Sequence, residues 1–268
     1  MTDGRGDGGA GSGGGKSGGG GSGGRDGSGN ERRRGARRVN RTGGDPRGRS
    51  RGPKVRVRTA RGRKLSSTRW LERQLNDPYV AEAQRRGYRA RSAFKLLELD
   101  EKLHLFRGVR RAVDLGCAPG SWLQVMVERL GDGAEVVGID RLATDPVAGA
   151  AILEMDFLDP TADAALAEHL SGPVDLVVSD MAADTTGHKQ TDHLRTMALC
   201  EAALDFAEAH LAPGGHFVAK VLQGGAEEAL LRRMKAGFKT VKHVKPAASR
   251  PESVEWYVVA KGFRGRAG

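Results

Sequence analysis

Five residues with reactive or hydrogen-bonding side chains sit at the ends of successive apolar runs: Asp140, Asp156, Asp180, Lys220 and, opening the last run, Glu255. Any one acid in such a place could be an ordinary turn residue, favoured there for local reasons. Five in succession are hard to assign to turns alone. Ahead of them lies Asp114-Leu115-Gly116-Cys117-Ala118-Pro119-Gly120-Ser121-Trp122, an apolar run that breaks into a glycine turn and then into a helical pattern of Trp122, Val125, Met126 and Leu130. Glycines let a ligand approach the main chain, and N–H groups at a helix start hold an anionic group. The spacing is not the Gly-x-Gly-x-x-Gly of dinucleotide enzymes. An Asp-x-Gly-x-x-x-Gly loop suits S-adenosylmethionine instead, whose amino-acid end carries a carboxylate and an ammonium but no pyrophosphate. Asp140 follows Gly120 by 20 residues, where a carboxylate can take both hydroxyls of a ribose, and Asp156 is placed to reach an adenine amino group.

These residues need a sheet to hold them. A short apolar run ending in Asp114 and further runs at 135–139, 151–153, 174–178, 216–219, 239–241 and 255–259 alternate with helical stretches near 161–170, 190–211 and 225–236. This predicts an α/β fold, a doubly wound, mostly parallel sheet with ligands at the carboxyl ends of its strands. The last two runs leave no room for a helix between them, so they should pair antiparallel at one edge. Upstream, Ser66 to about His104 reads as helical. Asp77-Pro78 offers a cap and a first-turn proline, and Ser92 is a natural N-cap for a helix carrying Leu96, Leu99 and Leu103. Lys95 lies at the edge of that apolar stripe, and with Arg85, Arg86, Arg89 and Arg91 it suits a polyanion better than a small metabolite.

The formal charge of +11 mixes two unlike parts. Residues 1–64 hold 18 Lys and Arg against five Asp and Glu, or +13, which leaves −2 for residues 65–268. The first segment also has 22 of the 40 glycines and no apolar periodicity, so it reads as a disordered tail: a Gly/Ser linker to about residue 30, then an arginine-rich arm. Such an arm suits phosphates, although many charge runs only stay solvated. An amphipathic transit peptide does not fit the glycine tract. Residues 65–268 form the catalytic domain on this reading. Cys117 and Cys200 lack disulfide or zinc-ligand spacing, so no metal site is expected. Without a secretory core or a membrane-length apolar run, the sequence predicts a soluble cytoplasmic protein, with no membrane partner and monomeric.

The chain resembles the FtsJ-type ribosomal RNA 2′-O-ribose methyltransferases over about residues 68–263. The motifs are Arg91-Ser92-Ala93-Phe94-Lys95-Leu96, the loop from Asp114 to Trp122, Ser179-Asp180-Met181, Phe217-Val218-Ala219-Lys220, and Lys245-Pro246 through Ser249-Arg250 to Glu255. The resemblance implies a Rossmann-like methyltransferase fold, with catalytic Lys95, Asp180, Lys220 and Glu255 and S-adenosylmethionine contacts from Gly120, Trp122, Asp140, Asp156 and Asp180. Glu252 competes for the last catalytic place, but Glu255 keeps the family's spacing from Lys245-Pro246. Cys117 and Ser121 stand where the family often has Ala and Gly, and Ala182-Ala183 where it often has Pro-Asn. The implied activity is methyl transfer to the ribose 2′-hydroxyl of a uridine in 23S ribosomal RNA, presented on the assembled large subunit. Transfer RNA or messenger RNA cap acceptors are the alternatives within the family. Outside it stand an inactive RNA-binding assembly factor and a nicotinamide oxidoreductase, the latter without its glycine fingerprint. A 2′-hydroxyl is a weak nucleophile, so its transfer needs alignment and a proton acceptor. Lysine serves if its pKa falls, which a second ammonium promotes and carboxylates oppose.

Overall fold

In the strand Arg111–Leu115 (β1) every residue after Arg111 is buried, because both faces of the strand are covered. Ala112 joins one apolar cluster, while Val113 and Leu115 join another on the opposite side. Successive side chains of a strand point to opposite faces, so a near-continuous apolar run is what a sheet sandwiched by helices requires. The computed structural model describes residues 64–183, 186–222 and 228–265. The tail expected over residues 1–64 therefore lies outside the described residues, apart from Lys64.

Three helices open the described chain: α1 (Leu65–Leu75), α2 (Pro78–Arg86) and α3 (Ala93–Leu103). Strands and helices then alternate as β1, α4 (Ser121–Leu130), β2 (Glu135–Asp140), β3 (Ala151–Glu154), α5 (Ala162–Ala167), β4 (Val174–Ser179), α6 (Lys189–His210), β5 (Leu211–Leu222), α7 (Glu228–Gly237), β6 (Phe238–Val244) and β7 (Glu255–Phe263). The seven strands lie in the order β3-β2-β1-β4-β5-β7-β6, with β3 to β5 paired in parallel. The order reverses direction at β1 and β4, the place where open α/β sheets bind ligands. α2, α3 and α4 contribute to the first cluster, and α5, α6 and α7 cover the other face. Each Leu or Phe fully withdrawn from water contributes roughly 1.5–3 kcal/mol. That apolar frame offsets the cost of holding charged groups at the strand ends. Among the described residues no helix is long and apolar enough to cross a membrane.

β6 and β7 pair antiparallel on one side of the sheet, as their spacing predicts. β7 is the inner of the two, antiparallel to β5 as well. This reversal brings the first residue of β7 to the carboxyl end of β5: Leu222 faces Glu255, and Lys220 faces Tyr257. Asp77 caps α2 as expected, accepting the Tyr79 N–H at 3.0 Å, with Pro78 in the first turn. Ser92 does not cap α3. Its backbone is already helical, and its hydroxyl is shared with that of Ser121 at 2.7 Å, which ties the start of α3 to α4.

Candidate active site

The four residues expected to act together meet at the carboxyl ends of β4 and β5. Lys220 is buried, with Nζ 2.9 Å from Asp180 Oδ1 and donating to the Asp180 carbonyl at 2.7 Å. Lys95, on the first turn of α3, is 8% exposed, so it points into the cleft and not along the surface. Its Nζ donates to Glu255 Oε2 at 3.0 Å and lies 3.9 Å from Asp180 Oδ2. Two ammonium groups and two carboxylates therefore alternate around one opening. Glu252, the competitor for the last place, is exposed and lines a separate cavity.

Tyr257 belongs to this cluster, although the sequence motifs do not single it out. Fully buried, it donates its hydroxyl to Asp180 Oδ1 at 2.6 Å, and its ring lies 5.6 Å from Lys95 Nζ. The signal that could reveal it is its position two residues after Glu255, on the same side of β7. Burial and the neighbouring Asp180 push the Tyr257 phenol well above its ordinary value, so it serves as a proton donor to the carboxylate.

The charges of the cluster support one another. Burial works against ionised Asp180, but Lys220 and Lys95 outweigh it and hold the carboxyl below its usual range. Glu255 is lowered in the same way, against burial, chiefly by Lys95 and Lys220. Burial also works against the Lys220 ammonium, yet Asp180 and Glu255 outweigh it, and the net direction is upward. A second ammonium and the carboxylates act on such a lysine in opposite directions. The carboxylates win because one of them touches Lys220 directly.

Beside the cluster opens a cavity of about 570 Å³, walled by Gly116, Ile139, Asp140, Asp156, Phe157 and Asp180 among others. Gly116 has a φ of +83°, and a Cβ there would stand 2.5 Å from Met181 Cγ, so no larger residue fits. Asp140 accepts the Ala118 N–H on Oδ2 and the Leu142 N–H on Oδ1, both at 2.9 Å. Each oxygen keeps acceptor capacity for a hydroxyl. Asp156 spends Oδ1 on the Leu158 N–H. Ala182 and Ala183 line the same wall.

A nearby observation tests the fit to S-adenosylmethionine. Asp114 is fully buried, and neither carboxyl oxygen has a hydrogen-bond partner among the described residues. Burial pushes it well above the usual range, and Asp180 and Asp140 add to the effect. Asp140, Asp156 and Asp180 line the cavity, and the unsatisfied Asp114 lies close enough to Asp180 and Asp140 to feel their charge, so these carboxyls suit a ligand that brings positive charge. The cofactor's sulfonium and ammonium meet that requirement, and the apolar side chains of Ile139, Phe157 and Leu158 suit an adenine. The residues fit the group.

Gly120 and Trp122 stand apart from the cavity wall. The Trp122 indole is buried between α3 and β7, donating to the Ser92 carbonyl at 2.9 Å and packing against Tyr257 at 5.8 Å. Gly120, with a φ of +94°, packs against Arg89: a Cβ would stand 2.6 Å from Arg89 Nη1. That guanidinium donates to the carbonyls of Pro119, Asp145 and Pro146 at 3.0, 2.6 and 2.7 Å, clamping the glycine loop to the segment after β2. Arg89 is thus engaged with the protein itself, where the sequence suggested a polyanion contact.

Comparison with known proteins agrees with this geometry. A family model described as FtsJ-like methyltransferase matches residues 88–263. The chain is 59% identical over 215 residues to the "Ribosomal RNA large subunit methyltransferase E" of Rhizorhabdus wittichii, covering 80% of this chain and 93% of that one. A protein of the same name from Paramagnetospirillum magneticum is 57% identical over 229 residues, 84% of this chain and 94% of the relative. Among solved structures, a ribosomal RNA methyltransferase from Plasmodium falciparum superposes with a TM-score of 0.60 at 32% identity, covering 67% of this chain and all of that one.

Proposed function

The chain belongs to the FtsJ-like methyltransferase family, and from that premise we propose that it transfers a methyl group from S-adenosylmethionine to the ribose 2′-hydroxyl of a uridine in 23S ribosomal RNA, on the assembled large subunit. The observation that carries the reading is the contact of Lys220 with Asp180, flanked by Lys95 and Glu255, where Asp180 also lines the acid-walled cavity. S-Adenosylmethionine, when bound, supplies an electrophilic methyl group on a sulfonium.

The protein's own residues do the rest. Asp140 holds ribose hydroxyls of the cofactor, and Asp156 its adenine amino group. Asp180 fixes Lys220 by a side-chain contact and a main-chain one, so Nζ has one direction left for the acceptor. As an ammonium Lys220 donates to the acceptor oxygen and aligns it. It takes the hydroxyl proton once positive charge entering the site offsets Asp180 and Glu255, which otherwise keep it charged. Lys95 holds Glu255 in place and shares the negative field. The protein acts in the cytoplasm as a monomer on this reading. Reverse-transcription stops at 2′-O-methylated nucleotides, mapped on ribosomal RNA from cells with and without the protein, test the assignment. One uridine should lose its stop, and an unchanged map would reject the reading.

Two smaller predictions arise here. Asp140→Ala should weaken S-adenosylmethionine binding by about 1–3 kcal/mol, the cost of losing a hydrogen-bonded charged partner. Calorimetry with equal affinities would remove Asp140 from the cofactor site. Deleting residues 1–64, which carry +13, should weaken association with subunits and flatten its salt dependence, because fewer counterions are released. Equal salt slopes would make the segment a passive solubiliser.

A further inference from the structure

A second cavity, of about 520 Å³ and sharing no wall residue with the first, is lined by Arg73 on α1, Asp77 before α2, Arg91, and Lys245, Ser249 and Arg250 of the β6–β7 loop. We propose that this cavity is a subsite for a backbone phosphate of the RNA strand that presents the acceptor ribose. The inference rests on the RNA-methylating reading above and adds a place for the substrate that the catalytic cluster does not provide.

Charge is the first argument. Four cationic side chains line the cavity against two carboxylates, Asp77 and Glu252. Asp77 is shared, with its Oδ2 3.2 Å from Arg91 Nε and 3.5 Å from Arg250 Nε, while its Oδ1 is committed to the α2 cap. Two guanidinium groups leaning on one carboxylate leave positive charge uncompensated. Burial lowers Arg91, and Arg250 adds to that effect against the opposing pull of Asp77. An anion between them would relieve both, and the planar forks of arginine suit phosphate oxygens.

An unsatisfied donor is the second argument. Ser249 is 5% exposed, its N–H closes a turn onto Pro246, and its hydroxyl has no partner among the described residues. A buried hydroxyl without a partner is costly, because its lost hydration is not replaced. Here it lines a cavity that cations already surround, where a phosphate oxygen would satisfy it.

Position is the third. Arg91 stands two residues before α3, the helix that carries Lys95. The 245–254 loop runs straight into Glu255, and it is braced for that approach. Lys245 donates to the Ser253 carbonyl at 2.8 Å, and Ser253 Oγ accepts the Glu255 N–H at 3.1 Å. Cavity and catalytic cluster thus share two chain segments, the one that leads into α3 and the one that leads into β7. A strand with its ribose at Lys220 and its chain leading past Glu255 would bring a phosphate to Ser249 and Arg250.

The test uses the full chain and hypomethylated large subunits. Arg250→Ala, and separately Arg73→Ala on the exposed side of α1, should each raise KM for subunits about tenfold. The salt slope of binding should fall by about one for each phosphate that is no longer neutralised. Calorimetric affinity for S-adenosylmethionine should stay at the wild-type value, and Arg250→Lys should recover part of the binding. Arg73→Ala keeps the test sound if Arg250→Ala lowers the melting temperature through Asp77. Unchanged KM and salt slope in both alanine variants would overturn the subsite, as would a fall in kcat at constant KM, which would mean that the loop only positions Glu255. Failure of the underlying reading would look different: the unaltered protein would methylate no subunits at all.

Discussion

Lys220→Ala is expected to reduce methyl transfer by roughly 10³-fold or more, within the range that a positioned proton-transfer group contributes, while leaving S-adenosylmethionine and subunit binding within a few-fold of wild type. Lys220 is buried against Asp180, and its interaction with the acceptor matters mainly as the hydroxyl loses its proton. The loss should therefore fall on kcat and not on KM. The direction of the Lys220 shift sharpens the test. Asp180 and Glu255 hold the ammonium form above the ordinary lysine range in the protein without ligands. A base held in that state gains its neutral form only as pH rises, so kcat should climb through the neutral range toward alkaline pH. A plateau should appear only where positive charge in the site has brought Lys220 down. Lys220→Arg keeps the charge but cannot lose a proton at these pH values, so it should be nearly as inactive as the alanine variant. Substantial activity in Lys220→Arg with a flat pH profile would make Lys220 an electrostatic positioner. Substantial activity in Lys220→Ala would take it out of the mechanism.

Much of this site is legible in the chain because the strands announce their own ends. Val174-Asp175-Leu176-Val177-Val178 must be buried on both faces, so Ser179-Asp180 has to emerge at the carboxyl edge, and the same argument places Asp140 and Lys220. Glu255 is less legible, since it begins its strand and reaches the edge only because β7 runs backward beside β5. A pattern of apolar residues carries no direction. Tyr257 is hidden for a related reason: a buried tyrosine in an apolar run looks like core until Asp180 is seen 2.6 Å from its hydroxyl. Ser92 misleads because local spacing favours a cap, whereas its contact with Ser121 across α3 and α4 is tertiary. Arg89 reads as part of a basic patch, and only the fold shows it bound to three carbonyls of its own chain. Contacts between distant segments are what periodicity cannot supply.

Asp180→Asn separates two roles that the lysine variants leave joined. The substitution keeps the shape but removes the charge that faces Lys220 at 2.9 Å and Lys95 at 3.9 Å, so two buried ammonium groups would be left with Glu255 alone. Breaking a buried pair in this way costs about 3–5 kcal/mol, because the remaining charge stays desolvated. A clear fall in melting temperature should accompany it. The pH sign follows from the direction of the shift. Asp180 is held below the ordinary carboxylate range, so its contribution to stability is in place above that range and is lost as pH falls through the lowered value. The asparagine variant should therefore show a shallower loss of stability in acid than wild type. Lys220, relieved of its nearest carboxylate, should titrate lower, which the pH dependence of its reactivity toward an acylating reagent can follow. If Asp180 served only to set that titration, the variant would hold more neutral lysine and should transfer methyl groups at least as well below pH 7. The geometry argues otherwise. The Asp180 side chain also receives the Tyr257 hydroxyl, its charge fixes the direction of Nζ, and it lines the cofactor cavity. Activity should fall by roughly 10² or more at every pH, the penalty expected when a reacting group is mispositioned. A variant that keeps its activity and merely shifts its pH profile to the acid side would show that Asp180 tunes Lys220 without positioning it.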